Sequence, residues 1–296
     1  MKTQDSARTV AVNRVTRDGM LHSVLRLLVC LAVSATSGYA VTLAINLDHY
    51  AGGVDVNDLG SGGYYWTTVT LGSDVQKPTP GAWHSLKDAT GAATGFEIRS
   101  NNYIRLSSAG NPVSTAFTLD GVRLPANVAS YGYGGIDSDN PLNQWLLRVP
   151  VTSGLGDWSF QLFAGDNRNG GLSPIAANVG GTFAQTYPPT TSTFTGGVTT
   201  TFTGPATDPL PHQGMNWFRS GRLDNIDATI QNFGGIDYYV ATLQFADTGR
   251  LVAGTVDYGS LHAFVLTALP VPEPGALTLL GLAAPGLLAR RRPARA

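Results

Sequence analysis

Three features of this sequence predict an all-β fold: an antiparallel β-sandwich of jelly-roll-like form, between an N-terminal signal helix and a C-terminal hydrophobic helix. Residues 41–270 hold 16 Asp but one Glu (Glu97), two Lys (Lys77, Lys87) and one Met (Met215), so strong helix formers are nearly missing. β-Branched residues and turn formers replace them, with 36 Gly and 17 Pro in the 296-residue chain. Apolar side chains in this body recur at every second position, the period of half-buried strands. Many short strands joined by Gly-rich turns assemble as two packed sheets.

The first element, residues 1–40, reads as a secretory signal, with Met20 as the expected start. Arg26 closes a short positive region, Leu27 to Val33 form an apolar run, and Gly38 and Ala40 place small residues before a cut between Ala40 and Val41. That run is too short to span a hydrocarbon core of about 30 Å. Cys30, the only cysteine, lies inside it behind Leu28 and Val29, where a lipidation signal needs a small residue. The body therefore has no thiol for disulfides, zinc or catalysis.

Within residues 41–270 the alternation marks strands one by one. Phe96 and Ile98 interleave with Glu97 and Arg99, then Ile104 and Leu106 with Tyr103 and Arg105. Trp145, Leu147 and Val149 alternate with Leu146 and Arg148, and Trp158, Phe160 and Leu162 with Ser159 and Gln161. Ile226, Ala228 and Ile230 form a further set, followed by Tyr239, Ala241, Leu243 and Phe245 with Tyr238, Thr242 and Gln244 opposite. Ala246 to Arg250 reads as a tight hairpin connection using Gly249. Residues 186–211 are a Thr/Pro-rich insertion, where arms around Gly196-Gly197 predict a protruding hairpin with Phe194 facing Phe202. A mobile linker is the alternative.

Charge and motifs narrow the chemistry. The body carries 10 basic against 17 acidic residues, which argues against nucleic acid as a partner, since such binding needs Lys and Arg on phosphates. It has no Gly-x-Ser-x-Gly elbow, His-Glu-x-x-His pair or Walker loop, and His49, His84, His212 and His262 lack metal-ligand spacing. A Ser–His–Asp triad or a carboxylate pair stays open in principle, but turn-forming Asp is the simpler account, so no enzyme and no cofactor are expected. Asp55 to Trp66 starts like a calcium loop and fails at Leu59 and Trp66. Asp137 and Asp139, and Asp166 and Asn167, cluster hard oxygen donors and are candidates for one structural Ca²⁺, with plain Asx-turns as the rival. Aromatic faces with polar neighbours suit sugars, and Tyr131, Tyr133 and Trp83 are the candidate carbohydrate contacts. The competing readings are a matrix protein without ligand and a secreted hydrolase.

The last element, residues 271–296, joins Pro272-Glu273-Pro274 to 15 uncharged residues, 275–289, and then to Arg290, Arg291 and Arg292. A helix of that length reaches about 22 Å, and the flanking arginines would snorkel and hold this end in the cytoplasm. The arrangement resembles a PEP-CTERM sorting signal. That resemblance implies an exosortase as partner, after the secretion machinery and a transient stay in the cytoplasmic membrane, with delivery to the cell surface or extracellular matrix; a retained tail anchor is the alternative. Pro residues on both sides keep Glu273 extended and accessible. Trp66-Thr-Thr-Val, Leu86 to Ile98 and Trp158 to Asp166 are similar to modules of exported bacterial proteins with galactose-binding or malectin-like jelly rolls. That likeness implies architecture only; a structural Ca²⁺ in one loop follows by analogy with extracellular jelly rolls, and polysaccharide as a partner class rests on the aromatic residues above.

Overall fold

The computed structural model describes residues 39–48, 54–70, 81–100, 105–106, 116–126, 128, 134–135, 142–166, 175–185, 192–202, 217–247 and 259–271. Tyr39–Val271 form one compact unit. The expected signal and tail helices, including Pro272, Glu273, Pro274, Arg290, Arg291 and Arg292, lie outside the described residues.

Nineteen strands are described and no α-helix: β1 (Val41–Asp48), β2 (Val56–Asn57), β3 (Tyr65–Thr70), β4 (His84–Lys87), β5 (Ala93–Ser100), β6 (Arg105–Leu106), β7 (Phe117–Leu119), β8 (Val122–Leu124), β9 (Gly134–Gly135), β10 (Leu142–Pro150), β11 (Asp157–Asp166), β12 (Ile175–Val179), β13 (Thr182–Gln185), β14 (Ser192–Thr195), β15 (Val198–Thr201), β16 (Trp217–Asp227), β17 (Thr229–Phe233), β18 (Ile236–Asp247) and β19 (Gly259–Leu269). One sheet runs β16-β11-β19-β1-β3-β2 and the other β15-β12-β18-β10-β5-β4. The pairing is antiparallel except between β1 and β3. That exception corrects the wholly antiparallel expectation: β3 pairs antiparallel with the short edge strand β2 and so enters beside β1 in the same direction.

The two sheets meet through the residues that the alternation marks. Phe96, Ile98, Trp145, Leu147, Val149, Trp158, Phe160, Leu162, Ala241, Leu243 and Phe245 are buried in one cluster. Phe96 of one sheet lies 5.6 Å from Trp158 of the other, centroid to centroid. Burying the indole N–H of Trp158 is tolerated because it donates to the Leu155 carbonyl at 2.5 Å. A smaller cluster, with Trp66, Phe163 and Val265, lies under the β7–β8 hairpin.

Two expectations are corrected. Ile226, Ala228 and Ile230 do not share a strand face: β16 ends at Asp227, Ala228 donates to the Gly156 carbonyl, and β17 joins the opposite sheet. A bulge precedes this corner, with Asn225 at φ 56°, so Ile226 is buried while Ile230 is 61% exposed. The Thr/Pro-rich segment does form a hairpin, but with other arms. β12 and β15 pair, and β13 and β14 continue the same register beyond Gly180-Gly181 and Gly196-Gly197. Phe194 therefore faces Phe183, 5.2 Å away, while Phe202 is buried 5.4 Å from Phe245. Gly196-Gly197 is a kink in an arm, because its positive φ values bend a strand that the ladder still holds in register. The expected turn at Gly249 lies outside the described residues, and β19 belongs to the opposite sheet from β18.

Polar contacts between β3 and β4 close one side of the sandwich. The Lys87 amide donates to Thr67 Oγ1 at 3.0 Å. Asp55 Oδ2 accepts from Lys87 Nζ at 2.7 Å and Tyr65 OH at 2.8 Å, and Oδ1 accepts from the Thr68 amide at 2.9 Å. Burial pushes the Asp55 carboxyl up, but the hydrogen bonds from Lys87, Thr68 and Tyr65 outweigh it and hold it below its ordinary value. A depressed folded-state value means that the stabilisation is complete above the unfolded pKa and fades as pH falls through the folded one. Asp55→Asn should therefore cost roughly 1–2 kcal/mol at neutral pH. Its deficit against the native protein should shrink in strongly acidic denaturant titrations, and a deficit constant with pH would refute this account.

Candidate functional site

The outer face of the second sheet gathers the polar side chains. Along β10 the residues opposite the core face are Gln144, Leu146 and Arg148, and along β18 Val240, Thr242 and Gln244, since strand side chains alternate. Gln144 pairs with Gln244, Leu146 with Thr242 and Arg148 with Val240. On the other side Arg99 pairs with Leu146 and Glu97 with Arg148.

A cleft of about 550 Å³ opens here. Both β17 and β12 pair with the same edge of β18, but β17 stops at Val240 and β12 at Leu243. Among the described residues Ala241 and Thr242 are thus left without a strand partner on that edge. Gln144, Thr242 and Gln244 form the floor; Thr229, Gln231 and the Asn225–Asp227 corner form one wall, and the kinked glycines Gly180, Gly181 and Gly197 the other. Among the described residues of the lining, Asp227 is the only titratable side chain.

Buried amides shape the glycine wall. Asn178 is fully buried; its Nδ2 donates to the Gly196 carbonyl at 2.9 Å and to Thr199 Oγ1 at 2.6 Å, and its Oδ1 accepts from the Gly181 amide at 2.7 Å. Gln244 Nε2 donates to the Gly181 carbonyl at 2.8 Å. Among the described residues its Oε1 is buried and has no hydrogen-bond partner.

Toward the other end of the face the site is cationic and aromatic. The β17–β18 hairpin turns at Gly234-Gly235, with φ of 62° and 89°, and brings Phe233 to 5.9 Å from Trp83. Arg148 lies between them, its Cζ 3.7 Å from the Trp83 ring centroid, 4.3 Å from that of Tyr238 and 5.0 Å from that of Phe233. Its Nε and Nη2 both reach Glu97 Oε2 at 2.8 Å. Arg99 approaches the same indole at 4.4 Å.

Among the expected sugar contacts, Trp83 is half-buried, and the guanidinium groups of Arg99 and Arg148 lie over its ring. Tyr131, Tyr133, Asp137, Asp139 and Asn167 lie outside the described residues. Asp166 ends β11, its backbone paired with Trp217 and Gly259. Among the described residues no group of three His, Cys, Asp or Glu is placed to hold a metal ion. Ala40 is exposed immediately before β1, which opens at Val41. Gln144, Asn178, Asn225 and Gln244 were not singled out from the sequence. Alternation puts Gln244 on the outward face, but nothing local predicts the gap between β17 and β12. No family model, curated protein or solved structure matches the chain.

Proposed function

We propose that this chain is an exported protein, delivered to the cell surface or extracellular matrix by an exosortase acting on its PEP-CTERM-like tail, and that its body binds carbohydrate. The cleft itself, lined by the amide and hydroxyl side chains of Gln144, Gln231, Thr242 and Gln244, carries the binding reading. A neutral saccharide supplies hydroxyl donors and acceptors that match these groups. The jelly-roll-like reading of the body draws support from the chain's passage between sheets: β10, β12 and β18 lie in one, and β11, β16 and β19 in the other. Support for export comes from the apolar leader ending at Ala40 and from the motif Pro272-Glu273-Pro274, which follows directly on the last backbone hydrogen bond of the body, Val271 to Gly154.

A glycan array probed with the exported protein tests the binding reading. Signal on saccharides is expected, and Gln244→Leu should weaken it at least tenfold. A blank array favours the matrix protein without ligand, and turnover of a glycan would favour the hydrolase. For sorting, Glu273→Gln should leave an unprocessed precursor in the membrane fraction, and normal surface delivery of that variant would overturn the role of the charge.

A further inference from the structure

We infer that Arg99 anchors an anion site beside the cleft, one that takes the carboxylate of an acidic saccharide; this rests on the saccharide reading of the cleft. The charge count around Trp83 carries it. Two guanidinium groups, Arg99 and Arg148, share one indole, and among the described residues the one carboxylate paired there, Glu97, is held by Arg148 through two nitrogens at one oxygen. Arg99 is in no ion pair among the described residues. Its Nε is buried without a hydrogen-bond partner. Burial, and then the neighbouring Arg148, pull the Arg99 guanidinium below its ordinary value, the signature of a cation lacking its counter-charge. A half-buried guanidinium without a counter-charge among the described residues matches a planar oxyanion in shape and charge.

Position selects the source of that oxyanion. Arg99 pairs with Leu146 and Leu146 with Thr242, so Arg99 and the cleft floor stand two strand spacings apart in one row, about 10 Å. Leu146 between them is buried, so a short oligosaccharide spans the distance by passing over it, with one sugar in the cleft and the carboxylate of a neighbour at Arg99. Arg148, enclosed by Trp83, Tyr238 and Phe233, fixes the indole that backs Arg99 and is a positioning residue.

The test compares an α-1,4-linked galacturonate oligomer with its methyl ester, titrated onto the full chain. The acid form should bind at least tenfold more tightly, and added NaCl should weaken that form alone. Arg99→Gln should bring the acid form down to the affinity of the ester and leave the ester within about twofold of its native value. Arg99→Lys, which keeps the charge without the fork, should keep part of the preference. Equal affinities in the native protein, or a preference that survives Arg99→Gln, would overturn the site. If neither oligomer binds, thermal shift with inorganic sulfate separates the failures. Sulfate stabilisation abolished by Arg99→Gln would overturn the saccharide source while keeping an anion site, and no sulfate effect would overturn both.

Discussion

Glu97→Gln should lower stability by roughly 2–4 kcal/mol, a fall in melting temperature of around 10 °C for a body of this size. The variant keeps the shape of the side chain and removes the one negative charge that the described residues bring to the cluster. Arg148 is then left 11% exposed among three aromatic rings without a counter-charge among the described residues, and Arg99 beside it still repels it. The figure lies below the full cost of orphaning a buried charge because Glu97 is itself 27% exposed. Replacing both partners, Glu97→Leu with Arg148→Met, should be milder than Glu97→Gln alone, since the uncompensated cation goes with its partner. Urea unfolding of the three variants checks this. A single variant within 0.5 kcal/mol of native, on the scale of ordinary surface changes, would show that solvent and the aromatic faces already neutralise Arg148.

Gly197→Ala should cost roughly 3 kcal/mol and abolish binding at the cleft. At φ 64° the backbone there disfavours any L side chain, and an added Cβ would sit 2.3 Å from the Val179 carbonyl oxygen and 2.4 Å from the Gly181 nitrogen. Both obstacles are backbone, so relief requires the two arms to separate at the bonds that Asn178 makes to Gly181 and Gly196. Gly196→Ala is the internal control: its φ is 72°, but nothing lies within 4 Å of its added Cβ. That variant should lose only the conformational part, about 1–2 kcal/mol, and keep the cleft. The difference between neighbouring variants, read by thermal melts and by ligand titration, isolates the steric contact. Equal losses would mean that the kink is set by backbone conformation alone.

The sheets were legible residue by residue where alternation was regular. Phe96 with Ile98, Trp145 with Leu147 and Leu243 with Phe245 point inward as their spacing requires, because a half-buried strand has only two faces to offer. Reading failed at Asn225. One residue in the left-handed region inserts a bulge, changes which face follows, and lets the chain leave one sheet for the other at Ala228. It failed again at Phe202, whose cross-strand partner in sequence terms was Phe194, because a hairpin's register depends on where the arms begin pairing, and Gly-Gly in this chain marks a kink.

Taken alone, the order of residues determined that the body is built of strands and which of their side chains turn inward. Those properties are local, set by alternation over short stretches. The tertiary structure alone decided the cleft and the cation cluster. Asn178 and Gln244 are 66 positions apart, and Glu97 and Arg148 are separated by 51. Their meeting depends on which strand edges pair and where pairing stops. That choice is made by packing between sheets, and no neighbouring residue encodes it.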